Sequence, residues 1–381
     1  MNNLRTGLYV HIPFCKNICP YCGFTKMVAS YEIKDNYLKS LFKEAEIKKL
    51  DNISFKTLYI GGGTPSSLSL NQLDFLLNGL SKYIDFTKLE EFTIEANPLD
   101  INDDFIDLIM KYHINRLSIG IQSFNNQITD LIKRKIDIND FNKIISILNN
   151  HHFINYSFDL MYGFINQTTD DIKKDLDILI NAKPKHISLY ALIIEDKTIF
   201  KYQRDHGINF EASDDEQAKM YNFISSYLFN YGYKRYETSN FSIEGYESKH
   251  NLIYWNYDNY YSLGIGATQI VNGVEETMDV NITNYISSLA NNKIPKHYIK
   301  ELNEEQILFD YAMVNLRKSE GINKDIFKSR FNKDVKSVYL NINNLLKKEY
   351  LLENDKSIFI NPKYVFVENS IIVDTIDKIK V

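Results

Sequence analysis

Cysteine is nearly absent: three in 381 residues, all between Cys15 and Cys22, and none in the 359 residues that follow. That excludes a disulfide framework and argues against the secreted compartment such frameworks suit. Positive charge is not in surplus either. The 49 acidic side chains outnumber the 44 basic ones, for a net charge of −5, so no broad basic surface for nucleic acid is implied. No apolar run approaches the roughly 18 residues that would make a membrane span. The N-terminus lacks the charged-then-apolar layout of a signal peptide. A cytoplasmic protein is expected, with no nucleic-acid partner and at most peripheral contact with membrane proteins. Reducing conditions there would keep the thiols available as ligands.

What is present begins with Leu8 to Phe24, LYVHIPFCKNICPYCGF, in which Cys15, Cys19 and Cys22 form C-x3-C-x2-C. Thiolates are soft ligands for borderline metals and for iron–sulfur clusters, and three so close together can converge on one inorganic centre. Zinc would need a fourth ligand, for which His11 is near in sequence; a disulfide would leave one thiol over. A [4Fe–4S] cluster held by three cysteines keeps one iron open to a small molecule.

From Leu8 onward, short β-rich runs alternate with amphipathic stretches, the pattern of βα units on a parallel sheet. Strands are expected at 8–12, 57–60, 91–95, 116–121, 155–161 and 186–190. The first helix is expected at 34–50, with Leu38, Leu41, Phe42 and Ala45 at helical spacing. Six units fit a partial (β/α)6, TIM-like barrel with its site at the carboxyl ends of the strands, by analogy with full barrels. A helix is expected at 214–231. The composition changes near Glu301, and helices at 304–317, 325–331 and 335–349, a strand pair at 350–352 and 358–360 and a last helix at 362–376 follow. At 381 residues a large domain, 1–290, with a smaller one, 300–381, fits usual domain sizes.

The strand ends carry the candidate chemistry. Gly61-Gly62-Gly63-Thr64-Pro65 follows the second strand; glycines let a ligand approach the backbone, though a tight turn capped by Ser66, Ser67 or Ser69 has the same composition. Glu95, before Ala96-Asn97-Pro98, is a carboxylate able to accept hydrogen bonds from hydroxyls, or else a solvated turn acid. Gln122 and Arg134 offer a paired donor and acceptor and a planar fork, or else polar surface. The segment 236–267 holds His250-Asn251-Leu252-Ile253-Tyr254-Trp255, with the one tryptophan of the chain. Histidine can ligate heme iron and aromatic rings can flank a porphyrin; an aromatic segment closing the open side of an incomplete barrel would read the same.

C-x3-C-x-Y-C after an extended, aromatic-flanked strand resembles the signature of the radical S-adenosylmethionine (SAM) enzymes. YVHIPFC and CPYCGF resemble the branch containing anaerobic coproporphyrinogen III oxidase (HemN) and the heme chaperones (HemW). The resemblance implies a [4Fe–4S] cluster on Cys15, Cys19 and Cys22 whose open iron chelates SAM and whose electron cleaves it to a 5′-deoxyadenosyl radical. It further implies SAM contacts at Tyr9, Tyr21, Gly62, Gly63, Thr64, Glu95 and Ala191, and at Gln122, Arg134 and Asp159 toward a second SAM. The C-terminal segment resembles the branch's small winged-helix-like domain.

Within the branch, Phe24 stands where the oxidase has a fourth cysteine, only seven residues precede Leu8 where the oxidase has an extension, and H-N-x-x-Y-W resembles the chaperone pattern, implying His250 as a heme residue. The expected function is heme binding and delivery to an apoprotein acceptor, with an electron donor for the cluster. The alternatives are SAM-dependent oxidative decarboxylation of coproporphyrinogen III and radical chemistry on another substrate.

Overall fold

The computed structural model describes residues 5–295 and 297–380. The outer residues of the two expected domain ranges, 1–4 and 381, lie outside them. Six βα units come first: β1 (Gly7–Ile12), α1 (Tyr31–Ile47), β2 (Thr57–Gly62), α2 (Leu70–Leu80), β3 (Glu91–Ala96), α3 (Asp103–Lys111), β4 (Arg116–Gln122), α4 (Asn126–Leu131), α5 (Ile138–Asn150), β5 (Tyr156–Tyr162), α6 (Thr169–Asn181) and β6 (His186–Ala191). The strands pair in parallel in the order β1 to β6. Their period-2 pattern has an unusual sense. Leu8, Val10, Leu58, Ile60, Phe92, Ile94, Leu117, Ile119, Phe158 and Ile187 pack together in the main core, so the alternate residues, Tyr9, His11, Tyr59, Glu95, Ser118, Asp159 and Tyr190, line a polar bore.

The chain continues through α7 (Ile199–Asp205), α8 (Asp214–Asn230), β7 (Lys234–Arg235) and β8 (Asn240–Ser242), which pairs antiparallel with β6. It then crosses beneath the barrel as α9 (Lys249–Trp255) and emerges as β9 (Tyr260–Leu263), parallel to β1 on the opposite edge. β10 (Thr268–Val271), β11 (Val274–Met278) and β12 (His297–Glu301) extend that edge to a twelve-stranded sheet, with α10 (Ile282–Ala290) packed on α1. Tyr285 bonds the buried Glu44, tying α10 to α1, and Lys48 at the end of α1 pairs with the same carboxylate.

A second core of Leu308, Tyr311, Phe327, Tyr339 and neighbours belongs to α11 (Glu304–Asn315), β13 (Ile322–Asn323), α12 (Lys324–Phe331), α13 (Val335–Val338), α14 (Ile342–Lys347), β14 (Leu351–Glu353), β15 (Ser357–Ile360) and α15 (Glu368–Ile376). Arg330 joins this core to the strap under the barrel, donating to the carbonyls of Asn256 and Tyr257.

Three expected boundaries move, each for a local reason. The first helix starts at Tyr31 rather than Lys34 because Ser30 caps the amide of Ile33, and it ends before the left-handed Lys49. The expected helix 335–349 is two helices, because Tyr339 turns extended to bury its ring and donate to the Leu308 carbonyl at 2.7 Å. The last begins as a 3-10 turn at Pro362 and becomes α-helical only at Glu368. No helix among the described residues is long and apolar enough to cross a membrane.

Candidate functional site at the carboxyl ends of the strands

The cysteine loop is clasped at its base. The amide of Cys15 donates to the Met27 carbonyl at 3.0 Å, and the Met27 amide donates to that of Pro13 at 2.7 Å. The glycine run of β2 continues the pairing: Gly63 donates to Ile12 at 2.9 Å and Thr64 to Phe14 at 2.8 Å. Thr64 Oγ1 thus reaches Cys15 Sγ at 3.6 Å. Tyr21 leans on Phe200 of α7 and seats the loop on a small apolar cluster of α4, α7 and the segments after β5 and β6. Of the three candidate serine caps, Ser69 caps α2; Ser66 instead bonds Asp100 and Ser67 the Phe14 carbonyl.

Below the loop, His11 is buried and committed. Its Nε2 lies 2.8 Å from the Thr25 carbonyl and so carries the proton, leaving Nδ1 to accept from Tyr9 Oη at 2.9 Å. Burial holds its pKa below the usual value. It has no nitrogen left for the zinc alternative. Gly62 sits at φ 114°, and a Cβ there would fall 2.4 Å from the His11 ring, so only glycine keeps this bend while its amide points at Glu95. Glu95 accepts from Tyr59 Oη at 2.8 Å and from that Gly62 amide at 3.1 Å. Burial raises its pKa to about 7 against these two donors. A solvated turn acid would not behave so.

β4 carries a feature with no clear sequence signal. Its register slips between Gly120 and Gln122, and Gln122 holds φ 72°, a left-handed conformation costly for a side chain with a Cβ. A Cβ on Gly120 would meet both Gln122 Nε2, at 2.7 Å, and Arg134, at 2.8 Å, so the two expected residues converge there. Arg134 Nε is buried with no hydrogen-bond partner, and the guanidinium acts electrostatically on Cys15, Cys22 and Glu95. Asp159 lies deeper, with Ser118 Oγ donating at 3.0 Å and burial raising its pKa. Tyr190 is 42% exposed, and that surface faces the bore, among Asp159, Glu237 and Glu95. Ala191 closes β6 opposite Tyr162.

The donor types suit a cluster, with an anionic, hydroxyl-bearing ligand above the bore: three thiols on one loop, a buried guanidinium and the carboxylate of Glu95. Three thiols respond to one another electrostatically, burial keeps those of Cys15 and Cys22 protonated to higher pH than usual, and an unpartnered guanidinium nitrogen waits beside them. Metal binding would displace those protons. As they stand, no three His, Cys, Asp or Glu side chains among the described residues are gathered closely enough to hold a metal ion.

Residues 9–179 match the model of the radical SAM superfamily. The chain is 34% identical to heme chaperone HemW of Lactococcus lactis over 348 residues, 91% of each protein. This chain belongs to the radical SAM superfamily, within its HemW family. HemW of Bacillus subtilis is 31% identical over 352 residues, covering 92% of this chain and 93% of that one. Among solved structures, coproporphyrinogen III oxidase (HemN) from Escherichia coli superposes with a TM-score of 0.82 at 19% identity, over 98% of this chain and 90% of that one, a likeness of fold. Membership of the radical SAM superfamily implies a [4Fe–4S] cluster and SAM.

His250 is elsewhere. It lies on α9 at the amino ends of the strands, fully buried, with Nδ1 2.7 Å from Thr57 Oγ1 and Nε2 2.7 Å from Tyr254 Oη. Burial lowers its pKa to about 3. Both nitrogens are engaged by hydroxyls within the barrel floor. Glu91 accepts from the amides of Lys249 and His250, at 2.8 and 3.0 Å, and from Ser248 Oγ. The H-N-x-x-Y-W segment thus packs into the barrel floor.

Proposed function

We propose that this protein binds heme and hands it to an acceptor apoprotein, with a [4Fe–4S] cluster on Cys15, Cys19 and Cys22 and SAM held at the carboxyl end of the bore. The observation that carries this reading is identity of 31 to 34% along more than nine-tenths of the chain with relatives named heme chaperones. The oxidase alternative is supported by likeness of fold, which does not fix substrate.

In this reading Gly62, Gly63 and Thr64 present backbone to the amino-acid end of SAM, and Glu95 accepts from its ribose hydroxyls. Tyr9 acts through His11, which fixes the loop at Thr25. Tyr21 and Ala191 wall the adenine side, and Arg134, Gln122 and Asp159 offer charge and hydrogen bonds to a further carboxylate or SAM. When bound, the cluster and SAM would supply the one-electron chemistry of the superfamily. An electron donor and an acceptor of heme complete the system.

The test is anaerobic titration of the reconstituted protein with hemin, followed by mixing with an excess of an apo-heme protein. One-to-one binding and transfer faster than from free hemin are expected. Absence of saturable binding, with turnover of coproporphyrinogen III in the presence of SAM, would replace this reading by the oxidase.

A further inference from the structure

Below the mouth, β5 and β6 carry a run of polar side chains on the bore face. Their parallel register sets Ser157 opposite His186 and Asp159 opposite Ser188, so all four lie on one side of the sheet. Ser157 and His186 are fully buried. Ser157 Oγ is 2.9 Å from His186 Nδ1 and 3.4 Å from Asp159 Oδ1, and His186 Nε2 is 2.8 Å from Tyr236 Oη. The amide of Ser248 donates to the same phenol oxygen at 3.3 Å.

Counting protons fixes the sense of this chain. Tyr236 Oη has one proton to give, and its acceptor among the described residues is His186 Nε2. With Nε2 accepting, the neutral ring carries its proton on Nδ1 and donates to Ser157 Oγ, which leaves the serine proton for Asp159. The opposite tautomer would strand the phenol proton and draw the serine proton onto Nδ1, away from the carboxylate. Those are two losses in a buried place.

The charges nearby act in the same direction. Burial, and then the Arg116 guanidinium, hold the His186 pKa well below its usual value, so the ring stays neutral and keeps one donor and one acceptor. Burial raises the Asp159 pKa, opposed by the hydroxyls of Ser188, Ser118 and Ser157 and by Arg116. The other titratable groups coupled to Asp159 are Glu95 of β3, Tyr59 of β2 and Tyr190 of β6, and of these Glu95 alone brings like charge near neutral pH.

We infer that His186 is a positioning residue for the bore: with its tautomer set by Tyr236 and its Nδ1–H directed at Ser157, it keeps Asp159 an ionised acceptor for SAM. The inference rests on the proposed reading of Asp159 as a SAM contact.

Two measurements on the full-length protein test it. Nitrogen-15 NMR of labelled histidines, with the His186 signals assigned by their loss in His186→Asn, reads the tautomer. A neutral ring protonated on Nδ1 is expected between about pH 6 and 8; a ring protonated on Nε2, or one that titrates in this range, overturns the inference. The second measurement is SAM affinity of the anaerobically reconstituted protein as a function of pH. Removing the serine donation raises the Asp159 pKa further, so the acid-side fall in affinity should move up by about one pH unit in Ser157→Ala and His186→Leu, with affinity at about pH 8 within about twofold of native. A loss of structure would instead lower affinity at every pH alike. His186→Asn, whose amide can place an N–H where Nδ1 stood, should restore the native profile. Glu95 is common to all these proteins and cancels in the comparison. Should His186→Leu fail to fold, Ser157→Ala, which removes a single oxygen, carries the test. The same acid-side fall in native and Ser157→Ala proteins overturns the role of His186 and leaves SAM binding standing. Failure of the native protein to bind SAM overturns both.

Discussion

Glu95 and Glu91 stand four residues apart on β3, both on the inner side of the barrel, and they live differently. Glu91, at the floor, accepts from three groups on one segment, Ser248 Oγ and the amides of Lys249 and His250, with the buried Arg116 nearby. Glu95, at the mouth, has two donors and a pKa raised by burial to about 7. A saturated carboxylate is structure; one with unused acceptor capacity facing the bore is suited to bind a donor.

The largest effect expected falls at the mouth. Cys19→Ala should abolish cluster assembly, read as loss of iron, sulfide and visible absorbance after reconstitution. It should change folding stability by no more than about 1 kcal/mol, because the loop hangs from a clasped base outside the core. A full cluster content in this variant would break the assignment of the mouth.

Next comes the floor. His250→Ala removes a buried ring and leaves the Thr57 and Tyr254 hydroxyls unpaired, for a cost of about 3–5 kcal/mol in urea denaturation. pH sharpens this. The folded pKa of about 3 lies below the roughly 6.5 of an unfolded histidine, so as pH falls below 6.5 the unfolded chain takes up the proton and stability declines. The slope is up to about 1.4 kcal/mol per pH unit for each such group. His186, also held well below its ordinary value by burial, contributes likewise, and the variant should lose one proton's share of the slope.

The smallest effect belongs to strain. Gln122→Gly should raise stability by about 1 kcal/mol by relaxing a left-handed backbone and weaken SAM binding by removing the amide. A variant less stable than native would show that Gln122 packs rather than waits.

The six strands were legible to within a residue or two because each combined β-branched or aromatic residues with a strong end signal, and the cysteines because three thiols fall within eight residues. The polar bore was not: Tyr9, Tyr59, Ser118 and Tyr190 alternate with apolar neighbours as they would in any half-exposed strand, and only closure turns that face inward. Gln122 gave no warning, since a bulge is a matter of register between strands. The seat of His250 was hidden for another reason: aromatic neighbours suit a porphyrin and a barrel floor equally, and the hydrogen bond that seats it is to Thr57, 193 positions away.

The strap beneath the barrel has a consequence in time. β9 supplies the outer neighbour of β1, pairing Gly7 with Tyr260 and Val10 with Leu263, so the first strand synthesised keeps a bare edge until almost the whole barrel has left the ribosome. At about 5–20 residues per second that wait is on the order of 10–50 s. Gly264 and Gly266, which follow β9 and pack against His11 and Thr25, arrive in the same late instalment. The nascent cysteine loop is therefore displayed on an unfinished stave, open to whatever delivers iron and sulfur and equally to oxygen, and its surroundings close only when residues from the far side of the gene come round to meet it.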